Sequence, residues 1–107
     1  GRPWFNIAKF SQNILMRNLA HRKELVRANI TFNSVAPGAI YIPDTGWEEM
    51  QSSDPTEFGN LIESLPLGRM GDPGEVADVV LFVASARGSL LNGSSIVVDG
   101  GETSQVR

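Results

Sequence analysis

The 107-residue sequence contains no cysteine and a single histidine, His21. Disulfides and thiolate metal sites are thereby excluded, while the redox compartment stays open. One imidazole without companion ligands does not make a metal site, so His21 reads as a solvated surface residue. Positive charge is also short. Nine Lys and Arg stand against 12 Asp and Glu, and the formal net charge of -3 gives no footprint for nucleic acid or an anionic membrane. No apolar run approaches the ~20 residues needed to span a bilayer. An initiating methionine is lacking too: the chain opens Gly1-Arg2-Pro3-Trp4 and is expected to be an internal piece of a longer protein. What remains suits one small globular domain at most, with 41% apolar residues available for a core.

The apolar spacing predicts a long helix over 5–26. Ile7, Phe10 and Ile14, with Ala8, Leu15 and Leu19, recur at three- and four-residue steps. Phe5 and Met16 broaden this face, which either covers a wide core or meets a second subunit. Arg17, His21, Arg22 and Lys23 gather towards the helix end, where the macrodipole favours positive charge. A strand is expected over 29–35, carried by Ile30, Phe32 and Val35 and ended by the Pro37-Gly38 turn. In open parallel sheets ligands are met at such carboxyl ends of strands. The stretch at about 41–65 is irregular, with helical pieces expected at 47–50 and 56–64, the second entered through Asp54 and Pro55. It reads either as a lid, with Trp47, Met50, Phe58, Leu61 and Ile62 lining an apolar pocket, or as a loop anchored by those residues. Asp72, Pro73 and Glu75 have the spacing of a capping box opening a helix over 73–86. A last strand over 94–98 is stopped by Gly100-Gly101. Strand, lid, helix and strand form one crossover unit, which places two parallel strands side by side.

Four segments taken together carry a resemblance. They are Phe5-Asn6-Ile7-Ala8-Lys9, the Asn29-to-Ile40 stretch with its Pro37-Gly38 turn, Pro66 to Ala77, and Leu91 to Gly101. In this order and spacing they resemble the C-terminal half of a short-chain dehydrogenase/reductase. The implied fold class is α/β, the C-terminal part of a doubly wound, Rossmann-type parallel sheet spanning 1–107. The implied cofactor is NAD or NADP, and the implied partners are a small-molecule substrate and further copies of the chain, as a homodimer or homotetramer. The implied location is cytoplasmic. By the same resemblance the glycine-rich nucleotide loop and the catalytic serine lie upstream of residue 1.

The family's motif is a tyrosine followed four residues later by a lysine. Lys9 matches the lysine, which hydrogen-bonds the nicotinamide ribose and lowers the tyrosine pKa. Phe5 stands at the tyrosine position. A phenyl ring has no ionisable proton, so this side chain performs no general acid–base catalysis. Pro37, Gly38 and Ile40 match the turn that meets the nicotinamide carboxamide through the Ile40 backbone. Ile42 occupies the position where a threonine often holds the cofactor phosphate, and Thr45 is near but displaced. Two functions follow: an oxidoreductase moving hydride between nicotinamide and a carbonyl or hydroxyl carbon, or a silent relative kept for cofactor binding or subunit association.

Overall fold

The computed structural model describes residues 2–103. Its helices are α1 (Pro3–Ala20), the single turn α2 (Lys23–Val26), α3 (Gly46–Ser53), α4 (Pro55–Ser64) and α5 (Pro73–Ala84), and its strands are β1 (Ser34–Pro37) and β2 (Ser95–Val98). The strands pair with each other. The Ser34 amide donates to the Ser94 carbonyl and the Gly38 amide to the Val98 carbonyl. Equal steps in the same sense on both strands make the pair parallel, as the crossover pattern requires.

The chain forms two compact units. The first takes the residues up to Val35 together with Phe82–Ile96; the second takes Ala36–Leu81 and the residues from Val97.

In the first unit the helix expected over 5–26 is two helices. Pro3 sits at the first helical position of α1, where its missing amide costs nothing. The break falls at Arg22, whose backbone is extended. Ala20, whose carbonyl would accept from the next turn, instead accepts from Asn92 Nδ2 at 2.7 Å. No glycine or proline marks this point, so the local pattern runs through it unbroken. The expected strand start also moves. Asn29 adopts a left-handed conformation (φ 63°), with its amide on the Val26 carbonyl and the Ile30 amide on the Leu25 carbonyl. That pattern is a Schellman cap, so Asn29 and Ile30 finish a helix rather than open a strand. β1 accordingly begins at Ser34 and runs on through Pro37.

Two asparagines hold the approach to β1. The Phe32 amide donates to Asn92 Oδ1 (3.0 Å), Asn33 Nδ2 donates to the Leu91 carbonyl (3.1 Å), and the Ser94 amide donates to Asn33 Oδ1 (3.1 Å). Met16 and Ala20 are the buried apolar residues of this unit among those described, while Trp4, Ile7 and Phe10 on α1 are each about two-thirds exposed.

In the second unit Leu65 and Met70 are buried. The irregular stretch at 41–65 is largely helical, as α3 and α4. Asp54 caps α4 by accepting from the Glu57 amide, with Pro55 at the first helical position. α5 opens through the expected capping box: Asp72 Oδ1 accepts from the Gly74 amide, and Glu75 Oε1 accepts from the Asp72 amide at 3.0 Å. Arg69 adds a two-pronged bond to both Glu75 oxygens, at 2.8 and 3.1 Å. The expected end of this helix at residue 86 comes at Ala84, and a short 3-10 turn (Ala86–Gly88) follows.

Candidate functional site

On α1, Phe5 and Lys9 stand one turn apart on the same face, as their four-residue spacing demands. Lys9 Nζ lies 5.6 Å from the Phe5 ring centroid, and the Arg2 guanidinium carbon lies 4.6 Å from it. Trp4 meets the ring edge-on at 6.0 Å. Among the described residues, Lys9 has this cation–ring contact but no ion pair or hydrogen bond from its ammonium. The ring thus meets two cations and an indole, and it carries no ionisable proton itself.

The turn after β1 is held much more firmly. The Gly38 amide is taken by the Val98 carbonyl, and the Ala39 amide by Glu102 Oε2 at 2.8 Å. Ile40 pairs with Gly71 in a parallel bridge, in which the Gly71 amide bonds the Ala39 carbonyl and the Tyr41 amide bonds the Gly71 carbonyl. Such a bridge uses the groups on either side of Ile40 and turns Ile40's own amide and carbonyl the other way. Among the described residues nothing bonds to either of them. The turn thus presents one donor and one acceptor, side by side, from a pinned backbone.

Gly38 lies close against the C-terminal segment. A Cβ built on it would come within 2.6 Å of Asp99 Cβ and would overlap the Glu102 carboxylate. Asp99 in turn accepts from the Gly101 amide (2.9 Å), the Thr103 amide (2.9 Å) and the Thr103 hydroxyl (2.8 Å). The Thr103 hydroxyl, followed by the Thr103 and Gly101 amides, holds the Asp99 carboxyl below its ordinary range. Gly100 (φ 61°) and Gly101 (φ 88°) both take left-handed backbone, which explains the glycine pair as a tight turn.

Pro37, Gly38, Ile40, Ile42 and Trp47 line one open apolar groove of about 840 Å³, whose far wall is α5. Trp47, Met50, Phe58 and Ile62, expected to line one apolar pocket, divide between two. Trp47 and Met50 line a cavity of about 410 Å³ with Ile40 and Ile42. Phe58 and Ile62 line another, of about 390 Å³, with Tyr41, Gln51 and Met70. Helix geometry separates the pairs, because the first belongs to α3 and the second to α4. Tyr41 joins α3 and α4 to the turn, donating from its hydroxyl to Gln51 Oε1 at 2.8 Å and meeting Phe58 edge-on. Ile42 is exposed and offers no hydroxyl, and the Thr45 hydroxyl is engaged, donating to the Ile42 carbonyl. Among the described residues no group of His, Asp and Glu side chains is arranged to hold a metal ion. None of their helices is long and apolar enough to cross a membrane.

Sequence reasoning passed over Glu102, Asn92 and Arg69. Asn92 and Arg69 lie inside the quoted segments. Asn92 carries no local signal, since its bonds run to partners 60 and 72 residues away, whereas Arg69's partner Glu75 is only six residues on and could have been suspected from the charge pair. Glu102 could be suspected only from the glycine pair before it, which turns the chain back.

A family model described as enoyl-(acyl carrier protein) reductase matches residues 1–103. A 3-oxoacyl-acyl-carrier-protein reductase of Thermotoga maritima is 36% identical over 96 residues, covering 90% of this chain and 37% of the relative. The L-sorbose reductase of Gluconobacter frateurii, solved with NADPH and L-sorbose, superposes with a TM-score of 0.78 at 27% identity, over 97% of this chain and 41% of its own. An NADPH-bound short-chain oxidoreductase from Pseudomonas aeruginosa, containing an atypical catalytic center, gives a TM-score of 0.78 at 27% identity, over 94% of this chain and 38% of its own. The chain spans about two-fifths or less of the length of these relatives. With its parallel strands, its helices and a family match along nearly its whole length, the chain belongs to the short-chain dehydrogenase/reductase family and shares its Rossmann-type α/β fold.

Proposed function

We propose that the protein is an NAD(P)-dependent oxidoreductase that moves hydride between a nicotinamide ring and the carbonyl or hydroxyl carbon of a small molecule. The observation that carries this reading is Ile40. A primary carboxamide needs one acceptor and one donor side by side, and Ile40 offers a carbonyl and an amide that nothing else among the described residues uses. The close packing at Gly38, where a Cβ has no room, fits the same purpose by keeping the turn tight. The bound dinucleotide would supply the hydride. Ile40 fixes its carboxamide, and Pro37 and Gly38 shape the turn. Lys9 takes the ribose contact, and Trp47 and Met50 give an apolar wall to the substrate. Phe58 and Ile62 support the lid from α4. The NADPH held by the sorbose reductase and by the Pseudomonas oxidoreductase supports this cofactor class, and the latter's atypical catalytic center supports a departure such as Phe5.

Phe5 favours a second reading: a protein that binds the dinucleotide but transfers hydride weakly or not at all. Ile42 adds to it, since the phosphate contact expected of a threonine has no hydroxyl there. Association of copies through the exposed apolar face of α1, as a homodimer or homotetramer in the cytoplasm, belongs to both readings. One experiment separates them. NADPH and NADH are titrated into the intact protein by fluorescence, and their oxidation is then followed with a panel of ketones and aldehydes. Binding with ordinary turnover supports the first reading, binding without turnover the second, and absence of binding removes both.

A further inference from the structure

We infer that Glu102 is a positioning residue for the dinucleotide-binding turn, acting by fixing the Ala39 amide so that Ile40 faces the ligand. The inference rests on the reading of Ile40 above. Ile40 is useful only while its amide and carbonyl point the same way in every molecule, so its two neighbours must be held. On the far side the Tyr41 amide and the Ala39 carbonyl are tied to Gly71, and on the near side the Gly38 amide is tied to Val98. Of the three amides in this frame, that of Ala39 is the one that no backbone carbonyl among the described residues reaches. Glu102 Oε2 takes it, at 2.8 Å, across 63 residues of sequence.

The carboxylate is delivered by a built turn rather than by a loose tail. Asp99 gathers the Gly101 amide and both the amide and hydroxyl of Thr103, and the Glu102 amide bonds back to the Asp99 carbonyl at 3.2 Å. Gly100 and Gly101 supply the left-handed backbone that reverses the chain. Gly38 leaves the space that the Glu102 carboxylate fills. An exposed carboxylate on a backbone amide is a modest bond, yet it removes a rotation from the turn before the ligand arrives.

The test uses the intact protein with Glu102→Gln and Glu102→Ala. Glutamine keeps an acceptor oxygen and alanine removes it. Dinucleotide affinity is expected to fall about three- to tenfold in Glu102→Ala and to stay near wild type in Glu102→Gln, with melting temperature and kcat unchanged and only the cofactor KM raised. Hydrogen exchange at Ala39 reads the bond itself and should quicken in Glu102→Ala alone. Undiminished affinity in Glu102→Ala overturns the inference, as does an equal loss in Glu102→Gln. If Ala39 exchange responds as expected but wild type binds neither NADH nor NADPH, the Ile40 reading has failed and takes the positioning role with it.

Discussion

The helix turn that carries Phe5 and Lys9 and the turn that carries Ile40 are both family landmarks, yet they are built in opposite ways. Phe5 and Lys9 sit on exposed helix surface, and the contact that Lys9's ammonium makes among the described residues is with an aromatic face. Around Ile40, the Gly38, Ala39 and Tyr41 amides and the Ala39 carbonyl are bonded, while among the described residues nothing bonds Ile40's own two groups. A pinned backbone offers its donor and acceptor without further ordering, whereas a long exposed lysine must be ordered by whatever it binds. On the proposed reading, recognition would rest on the rigid turn, while the Phe5 side chain would bring no ionisable proton to the reaction. On that reading binding would be the more durable property and chemistry the more easily altered one.

The sharpest way to break this comparison is to complete the weaker side. Phe5→Tyr adds a hydroxyl one helical turn from Lys9, whose charge lowers a phenol pKa. General acid–base groups contribute about 10²–10⁴-fold, and a gain of that order in NADPH- or NADH-dependent carbonyl reduction is expected, with cofactor affinity unchanged. Lys9→Ala in the same background should remove most of the gain. Ordinary rates in wild type, unmoved by the tyrosine, would mean that another group already supplies the proton.

The converse experiment loosens the rigid side. Gly38→Ala forces a Cβ to within 2.6 Å of Asp99, while Gly46→Ala meets nothing within 4 Å. Overpacking of this kind costs ~1–3 kcal/mol, and relief by moving the turn should weaken dinucleotide affinity about tenfold or more. Gly46→Ala is the control and should bind as wild type does. Equal affinities in the two variants would show that the turn yields without consequence for binding.

The same contrast decided what could be read in advance. The helix starts at Asp54-Pro55 and Asp72-Pro73-Glu75 were legible because a cap is a contract between residues three apart. The parallel strand pair and the helices α3 and α4 are likewise written in local pattern. The break after Ala20 was not, because the group that takes its carbonyl is Asn92, 72 positions along the chain. The late start of β1 was missed for a subtler reason. Ile30 and Phe32 have strand-forming side chains, but their amides are already committed to Leu25 and to Asn92 Oδ1. The turn at Pro37-Gly38 could be located, but the clamp that makes it rigid is assembled from Val98, Gly71 and Glu102, which only the fold brings there.

A stability measurement sharpens the comparison within the first unit. Asn92→Ala leaves both the Ala20 carbonyl and the Phe32 amide without their part-buried partner. Leaving such groups unsatisfied costs ~1–3 kcal/mol, so the midpoint of denaturant unfolding of the intact protein should fall, with no change in dinucleotide affinity at fully folded conditions. A loss of affinity as large as that of Gly38→Ala would mean that the asparagine network, too, shapes the binding turn.

The smallest expected effect tests whether the turn's neighbourhood depends on charge. Glu75 stands 2.8 Å from Arg69 Nη1, and that bond, followed by the Asp72 amide, holds its carboxyl down at about 2 from an ordinary 4.5. A carboxyl lowered on folding binds its proton more readily in the unfolded chain, so stability rises with pH through this window. The contribution is fully present above about pH 4.5 and is lost as pH falls towards 2. Because both side chains are about half exposed, solvent and salt screen the pair, and the effect on melting temperature should be slight. Glu75→Gln keeps an acceptor for the Asp72 amide but loses the charge. Its melting temperature should lie slightly below wild type at pH 6, and the gap should close on acidification towards pH 2 and narrow in high salt. A gap that persists at low pH would assign Glu75's value to packing or to the cap rather than to the ion pair. In that case α5 keeps its start, and the turn its bridge to Gly71, independently of Arg69.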